Sequence, residues 1–134
     1  MEIKPEMRSL YHASSVMSCG SLATLIHSSW QTWIAAGLPE EQGLDAILKI
    51  AKSTLDAIEQ MGYPDALTGP VIRGDRDTVA SHLDALQRFQ PSLSGLYEQV
   101  SLLSIKMAQD HGIAGGLIDW SDLFARNSKE FKCD

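Results

Sequence analysis

A chain of 134 residues is long enough for one domain with a buried core, and 44% hydrophobic against 21% charged residues is a soluble, globular balance. The net charge of −6, with 11 basic residues scattered along the chain, excludes a phosphate-neutralising nucleic-acid surface and disfavours anionic membranes. The start of the chain is charged, no apolar h-region follows it, and no apolar run reaches the roughly 18 residues a membrane span needs, so a soluble, cytoplasmic protein is expected.

Helical periodicity runs through the chain. Residues Met7 to Ala36 form one long candidate helix with Leu10, Met17, Leu25, Trp30, Trp33 and Ile34 supplying bulk, and Gly37 is a natural stop. Inside it lies the block 13-ASSVMSCGSLA-23, whose small side chains suit a close helix crossing or a pocket wall. Gly20 in mid-helix costs about 1 kcal/mol relative to Ala and calls for a reason. A second helix follows from about Pro39 to Met61, with Leu44, Ile47, Leu48, Ala51, Leu55 and Ile58 at helical spacing and Glu40 and Glu41 at the positive end.

A third helix is expected from near Arg76, capped by Asp75 and carrying Val79, Leu83 and Leu86. A fourth begins after Pro91-Ser92, with Leu93, Leu96, Val100, Leu103 and Met107 as its apolar face, and ends at His111-Gly112. The segment 112-GIAGGLIDW-120 reads as a flexible connection, and a short last helix from about Asp119 to Arg126 places Trp120, Leu123 and Phe124 on one side. No strand pattern of useful length occurs. The expected fold is all-α, a bundle of about five helices in a single domain over residues 1–134.

Chemistry-bearing residues are few. Cys19 and Cys133 have no framework spacing and read as reduced thiols, and His12, His27, His82 and His111 form no HxxxH or HExxH pair, so no metal site is expected. His12, near a helix start and beside Tyr11, is the candidate acid/base group, because the helix dipole there favours a neutral imidazole. The three tryptophans read as core or interface aromatics.

The connection 65-DALTGPVIRGDRDTVASHL-83 is unusually rich in specialised residues. Thr68-Gly69-Pro70 offers a hydroxyl, a permissive backbone position and a rigid φ. Arg73 adds a planar donor fork suited to carboxylate or phosphate, and Gly74-Asp75 turns the chain into the next helix. One reading makes this a structural turn in which Asp75 caps and Arg73 pairs with a carboxylate. A second, cell-adhesion binding through Arg73-Gly74-Asp75, is disfavoured because the tripeptide is common by chance and nothing suggests secretion. The third makes it one wall of a functional site.

Ala66-Leu67-Thr68-Gly69-Pro70, then Arg73-Gly74-Asp75, Thr78-Val79 and His82-Leu83, together with Tyr11-His12-Ala13 and Leu96-Tyr97, carry a resemblance. Over about residues 8 to 110 the chain resembles the helical C-terminal domain, of unknown function, of Rossmann-like reductases related to pyrroline-5-carboxylate reductase, ketopantoate reductase and 6-phosphogluconate dehydrogenase. The resemblance implies a domain of the 6-phosphogluconate dehydrogenase C-terminal type that follows an NAD(P)-binding domain, commonly dimerises, and closes on substrate between the two halves. Carried onto this sequence, the substrate-binding positions are Tyr11, Thr68, Gly69, Pro70, Arg73 and Asp75, with His12 catalytic.

The chain departs from the family in two ways. No GxGxxG follows a strand, so it contains no dinucleotide-binding half and is expected to hold no cofactor, NAD(P) entering only with a separate Rossmann-domain polypeptide. Where the family pattern carries Ser-Asn in the first helix, this chain has Cys19-Gly20. The leading expectation is therefore a stand-alone homodimer that binds a small metabolite and acts on it, if at all, by cofactor-free acid/base chemistry of isomerase, lyase or cyclase type. The alternatives are the substrate-binding or dimerisation subunit of a split oxidoreductase and a non-catalytic dimerisation module. Met1 and the extension 112–134 favour a chain that is not a simple excision.

Overall fold

The computed structural model describes residues 3–124, and every regular element among them is helical. The chain divides into two compact units, residues 1–53 and 54–134. Cys133 and the end of the expected last helix at Arg126 lie outside the described residues.

In the first unit a 3-10 turn, Pro5–Met7, leads into α1 (Arg8–Val16), and α2 covers Leu22–Ala35. The expected single helix is interrupted between them by a π-helical segment, Met17–Ser21, inside the small-residue block. Serine and threonine hydroxyls on this helix bond back to carbonyls three or four residues earlier, as Ser18 does to Ser14 and Thr24 to Gly20, a pattern that competes with regular helix hydrogen bonding. Gly37, at φ 77°, ends α2 and turns the chain toward α3 (Glu40–Met61).

Two indoles lock that turn. Trp33 Nε1 donates to the Pro39 carbonyl at 3.0 Å and Trp30 Nε1 to that of Glu40 at 3.4 Å. Gly43 is buried because a Cβ there would come within 2.7 Å of Trp33 and 2.9 Å of Trp30. These two tryptophans are thus packing groups of the turn.

In the second unit the Tyr63–Pro64 peptide is cis, and the short helix α4 (Pro70–Arg73) precedes α5 (Arg76–Phe89) and α6 (Pro91–Asp110). Only Gln90 separates α5 from α6, since Pro91 fits a first turn but cannot continue a helix. A 3-10 turn, Ala114–Leu117, and α7 (Ser121–Phe124) complete the unit.

Its core joins Val71, Val79, Leu83, Ile105, Trp120 and Phe124, with Tyr97, Ile118 and Leu123 packed against them. Of the expected inward residues, Val79, Leu83, Trp120 and Phe124 are buried, and Leu86 and Leu123 are half-buried. Burying such side chains contributes roughly 1.5–3 kcal/mol each.

Two expectations are corrected here. The segment 112–120 is a packed turn, not a flexible connection: Gly115 is buried, its carbonyl accepts Trp120 Nε1–H at 2.7 Å, and a Cβ at Gly115 would collide with the Val71 carbonyl oxygen. On α6 the buried residues are Ser94, Glu98, Ser101, Ile105 and Ala108, whereas Leu96, Val100 and Leu103 of the expected apolar face are exposed. Three of these five, Ser94, Ser101 and Ala108, have small side chains, which let α6 approach its neighbours closely.

Candidate functional site

The connection between α4 and α5 is built by local rules that use most of its special residues. Gly69 sits at φ 101°, ψ 170°, a conformation open almost only to glycine, and Pro70 begins α4 where a missing N–H costs nothing. Gly74, at φ 73°, closes α4 in a Schellman arrangement: its N–H donates to the Val71 carbonyl at 3.1 Å, and the Asp75 N–H to that of Pro70 at 2.8 Å.

Asp75 is the N-cap of α5. Its two oxygens accept the Thr78 N–H at 3.1 Å and the Thr78 hydroxyl at 2.8 Å. Those two bonds, the hydroxyl first, hold its carboxyl below the usual aspartate range, with Arg73 and His82 adding attractive charge.

Arg73 does not make the structural ion pair. That role falls to Arg76, which grips both carboxylate oxygens of Asp122 at 2.7 Å and ties α5 to α7. Arg73 and Thr68 are exposed, with no side-chain hydrogen bond or ion pair among the described residues. Of the loop residues singled out from the sequence, Gly69, Pro70 and Asp75 are accounted for by the turn itself, and Thr68 and Arg73 are left facing solvent.

Beside the loop lies a polar group that the sequence reading did not assemble. His82 Nδ1 and the Tyr97 hydroxyl are 2.9 Å apart, with the rings edge to face at 5.8 Å. Ser101, buried beneath, hydrogen-bonds the same phenol, while burial raises the Tyr97 phenol above its usual value. A signal existed: His82 and Tyr97 lie eight residues before and seven after Gln90, so an antiparallel α5–α6 hairpin brings them opposite. One helical step from Tyr97, Glu98 is 5% exposed and its carboxyl is raised by burial.

Tyr11 and His12 belong to the first unit. Both lie on α1 and are exposed; the Tyr11 carbonyl accepts the Ser14 and Ser15 hydroxyls, and the His12 ring has no hydrogen-bond partner among the described residues. Cys19 is a free, exposed thiol in the π segment. No group of three His, Cys, Asp or Glu among the described residues could hold a metal, and no described helix is long and apolar enough to cross a membrane. The described residues contain no strand, hence no βαβ unit that could cradle a dinucleotide.

With this geometry in hand, comparison with known proteins places the chain. Residues 1–103 match the family model described as Domain of unknown function (DUF2520), and the chain belongs to that family. Neither the curated proteins nor the solved structures contain a match.

Proposed function

We propose that the chain forms a helical domain, similar to the C-terminal domain of Rossmann-like reductases, that binds a small metabolite at the loop between α4 and α5. The observation that carries this reading is Arg73. In a turn whose other special residues are engaged in backbone geometry and capping, its guanidinium faces solvent without an ion-pair partner among the described residues, next to the equally uncommitted Thr68. A planar fork left open in this way is suited to a carboxylate or phosphate ligand. Separately from the loop, His12 in the first unit is the candidate group for cofactor-free acid/base chemistry. A His12→Ala variant is then expected to keep ligand affinity and lose turnover, and full turnover would remove His12 from that role.

A second reading has its own support. Leu96, Val100 and Leu103 on α6, and Leu10 and Met17 in the first unit, are exposed apolar side chains of the kind that partners cover. They suit a homodimer, or docking to a separate NAD(P)-binding polypeptide in a split oxidoreductase. Native mass spectrometry of the protein purified from its own source separates the readings. A retained metabolite, on a monomer or a homodimer, supports the metabolite-binding reading, and a complex with a nucleotide-bearing polypeptide overturns it in favour of a reductase subunit.

A further inference from the structure

We propose that Glu98, flanked by Ser94 and Ser101, binds a small primary alkylammonium at a site on α6 separate from the α4–α5 loop. Among the described residues only these three polar side chains are buried, Ser94 at 3%, Glu98 at 5% and Ser101 at 4% exposure. Spacings of four and three put them on one strip of the helix. Ser101 shares a hydrogen bond with Tyr97, and a hydroxyl so engaged can still accept another. Glu98 has no such partner: its side chain makes no hydrogen bond or ion pair among the described residues.

A buried carboxyl without a partner calls for a reason, because burying its charge is costly unless a cation or donors compensate it. No described side-chain oxygen sealed from solvent lacks a hydrogen bond, so the Glu98 carboxyl, which makes none, reaches solvent through the small part of the residue left open. The ionisable groups on the elements packed against α6 are Arg73 on α4 and Arg76, Asp77, His82, Asp84 and Arg88 on α5, while Tyr97, Lys106 and Asp110 share α6 itself. None of them perturbs Glu98, whose carboxyl is raised by burial alone. The ligand class follows from what the strip lacks. Three oxygen-bearing side chains with no cation among them suit a ligand that brings both positive charge and three N–H donors, as a primary ammonium does. A guanidinium is a wide planar fork and suits so small an opening less well.

The test is carbon NMR of the full chain labelled at the glutamate side-chain carboxyls, followed against pH with methylammonium, and with tetramethylammonium and sodium at the same ionic strength as controls. In the free protein Glu98 is expected to titrate above the ordinary glutamate range. Bound ammonium favours the ionised carboxyl, so methylammonium is expected to move that midpoint down by about one unit at saturation, a tenfold preference for the ionised form. Binding should accordingly tighten as pH rises through the Glu98 titration. The signals of the exposed Glu6, Glu40, Glu41 and Glu59 should stay unmoved. Ser101→Ala should weaken methylammonium about fivefold, the loss of one neutral hydrogen bond. Glu98→Gln should abolish the methylammonium-dependent shifts of the α6 amides, with an unchanged helical circular dichroism spectrum showing that the fold is kept. A Glu98 midpoint indifferent to methylammonium would overturn the site. So would an equal response to tetramethylammonium or sodium, which is screening alone, equal shifts at the exposed glutamates, or methylammonium shifts on α6 that survive Glu98→Gln.

Discussion

Single carboxylates in this protein pull its pH response in opposite directions. Burial raises Glu98, so the folded protein keeps that proton to a higher pH than the unfolded chain does. The resulting penalty is absent below the unfolded value and grows as pH rises toward the raised folded one. Glu98→Gln should therefore raise the midpoint of thermal unfolding at neutral pH and leave it unchanged in acid. Asp75, Asp119 and Asp122 are lowered, chiefly by the Thr78 hydroxyl, the Ser121 N–H and the Arg76 guanidinium respectively. Their contributions are present above the ordinary aspartate value and lost as pH falls through it toward the depressed folded values. Asp75→Ala should remove part of that acid limb, which urea titrations across the acid range would register as a shallower slope.

At the scale of elements, the glycines separate packing from interaction. A methyl at Gly115 would strike the Val71 carbonyl, so Gly115→Ala should destabilise by about 1–3 kcal/mol in chemical denaturation, the range for forcing atoms into a filled core. A methyl at Gly74 must adopt a left-handed conformation and presses on Ile118 at 3.0 Å, and Gly74→Ala should cost at least about 1–2 kcal/mol. Gly20 is different: a Cβ there meets nothing within 4 Å, so Gly20→Ala should stabilise the helix by about 0.5–1 kcal/mol. If a second copy packs on the small-residue block, the same substitution should instead weaken association in sedimentation equilibrium.

At the scale of the whole molecule, burial is unevenly shared. The second unit holds the hydrophobic cluster, and Leu83→Ala within it should cost about 2–5 kcal/mol. In the first unit α1 and α2 contain no buried residue, while Leu10 and Met17 are 65% and 67% exposed. In the proposed homodimer these side chains lie at the contact, and Met17→Glu should shift the protein to monomer in light scattering with its helix content retained. An unchanged mass would take that surface out of the interface. The helical class of the fold was legible in the spacing of α3 and α5, in the Asp75 cap and in the Pro91-Ser92 break, which lies within two residues of the start of α6. The orientation of α6 was not, since periodicity marks an apolar face without saying whether the molecule buries it.

The sequence alone determined the features that obey short-range rules. Helix limits follow from proline, glycine and capping side chains a few residues apart, and the α4–α5 turn follows from Gly69, Pro70, Gly74 and Asp75 for the same reason. Tertiary structure decided everything that depends on which surfaces meet. It chose Arg76 over Arg73 as the partner of a carboxylate, brought His82 to Tyr97 across the hairpin, and pressed Gly115 against Val71. Those outcomes rest on close approach between residues distant in sequence, where atomic packing, not spacing along the chain, sets the energy.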